Sequence, residues 1–290
     1  MSNLTNREEK NKVLPGVLYL VATPIGNLAD VSERAIKVLS EVDYIAAEDT
    51  RNTLKFLTCL GISKPLVSYY EHNKRQRGTE IISSLKDGKA WALVTDAGTP
   101  AISDPGEDLV KLCAEEGIAV TLIPGACAVI NALALSALSA RRFVYEGFLE
   151  GKAKDKREYL NAMKNETRTM VFYEAPHNLI ETLGLMLEAF GDSRRISLCR
   201  ELTKLNEEIM RCTLAEAVAY YREHAPRGEY VLVVEGASGT HEGEFWAEMT
   251  VHEQVEHYIA LGLSKMDAIK QTAKDRGVPK GVIYKEILGE

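Results

Sequence analysis

The chain has 290 residues, 46% hydrophobic and 27% charged, which is ordinary for a globular protein with room for two domains and sizeable cores. No apolar run approaches membrane-span length, and the polar start at residues 1–12 does not resemble a signal peptide. The net charge of −7 argues against a general nucleic-acid binder, although basic patches can stand against such an average. The five cysteines (59, 113, 127, 199 and 212) form no C-x-x-C pair, and the six histidines lack metal-ligand spacing. The expectation is a reduced, cytoplasmic protein with no metal, no disulfide and no membrane association.

In chain order, residues 1–12 read as a flexible tail. Residues 17–22 form a continuous apolar strand, the pattern of a sheet covered on both faces. It ends in Thr23-Pro24-Ile25-Gly26-Asn27. A helix is predicted over Ser32 to Glu41, a strand over Val42 to Ala47 ending in Glu48-Asp49-Thr50-Arg51, and a short strand over Leu66 to Tyr69. A charged helix follows over Lys74 to Lys86, then a strand at Ala90 to Val94. The next stretch, T-D-A-G-T-P-A-I-S-D-P-G over Thr95 to Gly106, is too long and too punctuated for a plain strand-to-helix connection. At the carboxyl end of a strand in an open α/β sheet, such a loop is placed to hold a ligand. The rival reading is an elaborate turn in which each Asp bonds its own backbone. A helix to Glu116, a strand at Val120 to Ile123 and an apolar helix to Leu138 complete an expected five-stranded parallel sheet with right-handed crossovers.

The second half alternates differently. Strands are predicted at 143–148, 169–173, 196–199, 207–212 and 228–235, with helices to Phe190 and over Thr213 to Glu223. Adjacent strands with few helices between them predict a mixed sheet. The fold class is therefore α/β: two α/β domains, 13–138 and 139–240, and a small helical basic domain at 245–290. Residues 236–243 read as a linker. Between Lys265 and Lys285 six basic residues face two acids, so a small helix-turn-helix and a solvated amphipathic cap are both open there.

No G-x-G-x-x-G follows the first strand, and no P-loop or G-x-S-x-G occurs. What the chain does carry, in order, is V-A-T-P-I-G-N-L, A-E-D-T-R, D-A-G-T-P-A-I-S-D-P-G, F-Y-E-A-P-H-N-L and R-E-L-T-K. Together these motifs resemble the ribosomal RNA small-subunit methyltransferase I family, within the tetrapyrrole-methylase-like superfamily of S-adenosyl-L-methionine (AdoMet) dependent methyltransferases. The likeness runs from about Leu14 to the C-terminus. One departure is Asn178, where relatives often carry Arg. The resemblance implies 2′-O-methylation of a cytidine ribose in small-subunit (16S) rRNA, naked or in the assembled subunit. It also implies a two-domain cleft holding AdoMet, and a homodimer.

By the same resemblance, Pro24 and Ile25 border the cofactor and Asp96 contacts its polar end. Thr99, Ile102 and Ser103 lie close to it, and Cys127 and Ala128 meet it at a helix start. Tyr173 and Glu174 close the cleft. Turn chemistry is the plain reading for the prolines, and a small core residue is the plain reading for Cys127. For catalysis Asp49 is the first choice to take or orient the ribose proton and His72 the second, with Glu201 and Lys204 as further candidates. The rival is that Asp49–Arg51 and Glu201–Lys204 are ion pairs that only brace the cleft.

For RNA, the basic stretch Lys152, Lys154, Lys156 and Arg157 reads as a loop denser in charge than a solvated face needs, joined by Arg51 and by stacking candidates Tyr69, Tyr70 and Tyr145. Two other functions stay open on sequence: a methylase of the same superfamily acting on a free tetrapyrrole, and a non-catalytic RNA-binding assembly factor of the same fold.

Overall fold

A computed structural model of the chain describes residues 11–237, Trp246 and residues 249–288. The first half builds β1 (Val17–Val21), α1 (Glu33–Glu41), β2 (Tyr44–Ala47), α2 (Thr50–Cys59), β3 (Leu66–Ser68), α3 (Lys74–Lys86), β4 (Trp91–Val94), α4 (Gly106–Glu115), β5 (Ala119–Ile123) and α5 (Ala128–Leu135). Its sheet is wholly parallel, in the order β3-β2-β4-β1-β5.

The continuous apolar strands are explained by two cores, one on each face. Strand alternation sends Tyr19, Val21, Ile45, Ala92 and Val94 into the core beneath α1 and α2. The intervening Leu18, Leu20, Ala46, Trp91 and Leu93 enter the core with α3 and α4. Burying one such Leu stabilises the fold by about 2 kcal/mol. Ser32 starts α1 by accepting the Ala35 N–H at 3.1 Å.

The second half builds β6 (Phe143–Phe148), α6 (Ala153–Ala162), β7 (Thr169–Glu174), α7 (Leu179–Phe190), β8 (Arg195–Arg200), β9 (Glu208–Thr213), α8 (Leu214–Glu223) and β10 (Tyr230–Val234). The sheet is mixed, as expected, in the order β6-β7-β10-β8-β9, with only β6 and β7 parallel. Alternation again feeds two cores. Met170, Phe172, Leu232 and Val234 pack under α7 and α8. Val171, Val231 and Val233 pack against Val129, Ala132 and Leu133 of α5. Helix α5 therefore leaves the first sheet and lies on the second, and both sheets belong to one compact unit ending at Gly236.

Residues 237–290 form a second unit. Its helices α9 (Val251–Ala260), α10 (Lys265–Asp275) and α11 (Lys280–Leu288) bury Val255, Ala268, Ile269 and Ile283 together. Its basic excess is partly spent internally: Lys270 pairs with Asp267, and Arg276 donates to Gln254 and to the Met249 carbonyl.

The stretch after Asp49, to which the sequence assigned no element, is helix α2: Asp49 caps it, and Thr53 and Leu57 are buried on its inner side. One expectation needs correction. The basic stretch 152–157 is the cap and first turn of α6 and not a loop, fixed by the Lys152 N–H donating to Asp155 at 3.0 Å. Residues 1–10 of the expected tail and 238–243 of the expected linker lie outside the described residues.

Candidate functional site

Three strand-end loops of the first sheet are knitted into one wall. Thr23 after β1 and Gly98 after β4 exchange backbone hydrogen bonds, N–H to O at 2.9 and 3.1 Å. The Thr23 hydroxyl donates to the Thr95 carbonyl at 3.2 Å. The Thr99 hydroxyl donates to the carbonyl of Ala126, in the loop after β5, at 3.1 Å. Gly98 has φ +84°, and a β-carbon there would press on Ile25. Further along the β4 loop, Ala101 and Ser103 hold left-handed backbone at φ 66° and 60°. Non-glycine residues do this at a cost of about 1–3 kcal/mol each, and such strain gathers at ligand sites.

The second sheet supplies the opposite wall. Glu201 and Thr203, after β8, are also left-handed, at φ 51° and 65°. Lys204 bridges Glu201 and Glu229, both at 2.9 Å. Burial alone would lower the Lys204 ammonium, but the two carboxylates more than offset it and hold it above its ordinary value. Glu201 is correspondingly lowered, first by Lys204 and then by the Glu229 N–H. Tyr145 meets Ser103 across the gap at 2.6 Å and stands edge-on to Tyr173, which also packs on Phe148. Burial is the main reason both tyrosine hydroxyls are raised.

Between the walls lies a cavity of about 450 Å³, within the range of small-molecule sites. It gathers most of the expected cofactor residues: Ile25, Thr99, Ile102, Ser103, Cys127, Ala128, Tyr173 and Glu174. Cys127 and Ala128 bring the amino end of α5 to it. Glu174 is buried and spends its oxygens on the Ala175 N–H at 2.9 Å and the Thr182 hydroxyl at 2.5 Å. Pro24 and Asp96 line a smaller neighbouring cavity, which shares Thr95 with the larger one. Asp96 accepts from the Asp49 N–H at 3.3 Å and from Asn52 at 3.2 Å.

Of the catalytic candidates, Glu201 and Lys204 line the large cavity, as the ion pair anticipated for them. Asp49 does not line it. Its carboxylate accepts from the Arg51 N–H and guanidinium, and these bonds bring it down to about 2. His72 stands in the turn before α3, edge-on to Tyr70, and also lies away from the cavity. The sequence reading passed over Glu48, which does line it. Glu48 is exposed at the rim. Its carboxyl is nevertheless raised, first by partial desolvation and then by Asp96 and Asp104. No local pattern separates it from Asp49, because both residues lie past the end of β2 and Asp49 already caps α2. Asp104 is raised mainly by burial; its Oδ1 accepts the Gly106 N–H at 2.7 Å, and its Oδ2 is buried with no hydrogen-bond partner among the described residues.

The basic side chains sort by exposure. Arg51, Lys152 and Lys154 are exposed. Lys156 is 6% exposed and faces Glu181, and Arg157 donates to Glu188 at 2.9 Å. Tyr69 is 1% exposed, which removes it from the stacking candidates. Among the described residues no group of three or more His, Cys, Asp or Glu is disposed to hold a metal ion, and no helix is long and apolar enough to cross a membrane.

Residues 17–218, from β1 into α8, match the family described as Tetrapyrrole (Corrin/Porphyrin) Methylases. Solved structures agree at the level of fold. Uroporphyrin-III-C-methyltransferase from Thermus thermophilus aligns with a TM-score of 0.54 at 18% identity, over 75% of this chain and 94% of that one. A cobalt precorrin-4 methyltransferase aligns with a TM-score of 0.54 at 16% identity, over 76% and 95%. Sequence relatives are much nearer. The protein named ribosomal RNA small subunit methyltransferase I is 52% identical in Halalkalibacterium halodurans and 48% in Bacillus subtilis, each over 93% of both chains. In Escherichia coli O157:H7 it is 42% identical over 94% of this chain and 95% of that one. The chain belongs to the tetrapyrrole methylase family and, within it, to the ribosomal RNA small subunit methyltransferase I family.

Proposed function

We propose that this protein transfers a methyl group from AdoMet to the ribose 2′-oxygen of a cytidine in small-subunit rRNA, as naked RNA or in the assembled subunit. The observation that carries the reading is the cavity between the two sheets, built from the motifs of a chain 52% identical to a named small-subunit rRNA methyltransferase. The likeness to tetrapyrrole enzymes, at 16–18% identity, speaks for the fold alone.

The residues present fit AdoMet. The amino end of α5, at Cys127 and Ala128, suits its carboxylate or an adenosine hydroxyl. Ile25, Phe148 and Tyr173 offer apolar and aromatic surface for the adenine. The carboxyls of Glu48 and Asp104, with strand-end carbonyls, suit a cation better than any helix start would. Bound there, AdoMet supplies an electrophilic methyl on a sulfonium. The chain's own part is to orient the ribose hydroxyl and to take or steer its proton. Glu201 with Lys204, and Glu48, face the cavity for that task; Asp49 acts through Arg51 and the start of α2. Arg51, Lys152 and Lys154 are available to phosphates. A cytoplasmic location and a homodimer complete the reading. Leu122 and Ile130, large, apolar and exposed, are residues a second copy would cover.

The test is incubation with labelled AdoMet and either small subunits lacking the modification or a reduced tetrapyrrole. An Ala128→Phe variant, whose side chain fills the cavity, serves as control. Label in RNA from the wild type and not from the variant is expected. Label in the tetrapyrrole alone would replace this reading, and AdoMet binding with no transfer to either would favour a non-catalytic assembly factor.

A further inference from the structure

The smaller cavity, about 220 Å³, lies between the turn after β1, the first turns of α2 and the start of the β4 loop. It is too small for a whole nucleotide or cofactor and is of a size for one base. Thr95 lines both cavities, so a group held in the smaller one sits beside the larger.

Its polar groups are set in a definite pattern. Asp96 is an acceptor only, so the Asn52 amide must turn its Nδ2 toward it, and it does so at 3.2 Å. That orientation leaves Asn52 Oδ1 accepting from no described residue. The cavity thus presents two acceptors, Asn52 Oδ1 and Asp96 Oδ2. The Thr53 hydroxyl, which bonds to no other described residue, lines the cavity beside them, and Phe56 lines the same space with a half-buried ring. Arg51, one residue before Asn52, carries a guanidinium that is 86% exposed.

We propose that this cavity is the subsite for the target base, a pyrimidine carrying an exocyclic amino group. The inference rests on the function proposed above and deepens it. Cytosine offers an amino donor at N4, with N3 and O2 as acceptors. The amino group meets Asn52 Oδ1 and Asp96, and the Thr53 hydroxyl donates to the ring edge. Phe56 gives the base an apolar or stacking surface. Uracil would turn its O4 toward two acceptors, which leaves them unpaired and repels it. Arg51 then lies beside the backbone of the same nucleotide.

The test uses the full chain and its Asn52→Ala variant, an exposed position whose loss leaves the α2 cap intact. Methyl transfer is measured on small subunits carrying cytidine, and on subunits carrying uridine, at the mapped target. The expected result is a loss of about tenfold or more in kcat/KM on cytidine, with collapse of the preference over uridine and AdoMet affinity held within about twofold. Preference unchanged in the variant would overturn the subsite. A second readout needs no turnover: the Asn52 side-chain amide resonance, in protein saturated with S-adenosylhomocysteine, should shift with cytidine monophosphate and far less with uridine monophosphate. No response up to about 10 mM, well above the weakest useful affinity, would also overturn it. If the wild type methylates no RNA while that resonance still selects cytidine monophosphate, the function fails and the subsite stands.

Discussion

Gly26 and Lys204 come so close that a β-carbon on Gly26 would lie 2.3 Å from Lys204 Cγ, with Thr203 Oγ1 at 2.9 Å and the Leu202 carbonyl at 3.0 Å. The turn after β1 seats against the Leu202–Lys204 loop because residue 26 has no side chain. Gly26→Ala should cost about 1–3 kcal/mol as overpacking and displace Lys204 from Glu201 and Glu229. Thermal unfolding should show the loss, and calorimetry should show weaker AdoMet binding. A variant with unchanged melting and unchanged affinity would refute this close contact.

Lys204 is cationic and pinned by two carboxylates, so it positions and does not act as a neutral base. Lys204→Met should lower kcat on rRNA sharply, and Lys204→Arg should recover part of it. Glu201 supplies a pH signature. Its carboxyl is depressed in the fold, so its contribution is present above its unfolded value and lost as pH falls through the folded one. Acid melting curves of Lys204→Met should lose that component.

Glu48 shifts in the opposite direction. A carboxyl raised in the fold opposes stability as pH rises from its unfolded value through its folded one. If Glu48 takes the ribose proton, activity should rise through that same range, and Glu48→Gln, measured at saturating AdoMet because a charge beside the cofactor's cation is lost, should flatten the acid limb of kcat. An unchanged limb in Glu48→Gln would exclude it.

Asp49 at about 2 stays ionised throughout the neutral range, so no activity limb near neutrality belongs to it. Its contribution to stability is present above its unfolded value and fades as pH falls toward 2. Asp49→Asn keeps an oxygen to cap α2 but releases Arg51. The expected result is near-normal melting with weakened RNA binding. Full loss of transfer with RNA and AdoMet binding intact would restore Asp49 as the proton acceptor.

The basic start of α6 should divide in two. Lys152→Ala with Lys154→Ala should weaken RNA binding and lower the salt dependence by about one phosphate each. Lys156 is enclosed and faces Glu181, so Lys156→Ala should lower the melting temperature and leave the salt slope unchanged. Filter binding across a salt series checks both.

The central strands were legible because they are buried on both faces, which writes Val17–Val21 and Trp91–Val94 as unbroken apolar runs. Their ligand-type endings were legible as glycine and proline punctuation. Strand order was not, since it follows from crossovers with no local trace. Helix α2 was hidden because Thr50, Asn52, Thr53 and Thr58 are weak helix formers, and its reason for forming is the Asp49 cap and Leu57 in the core. The charges at 152–157 misled because the partners of Lys156 and Arg157, Glu181 and Glu188, are on α7, about 25 to 31 residues away. Glu48 was overlooked beside Asp49 because both lie past the end of β2, where strand periodicity no longer assigns a face.

The most direct measurement is nucleoside analysis of unmodified small subunits after reaction with the protein and labelled AdoMet, with nuclease digestion and chromatography against standards. The account predicts a single labelled 2′-O-methylcytidine, absent with Ala128→Phe. A base-methylated nucleoside, another 2′-O-methylated nucleoside, or no labelled nucleoside from protein that binds AdoMet, would contradict it.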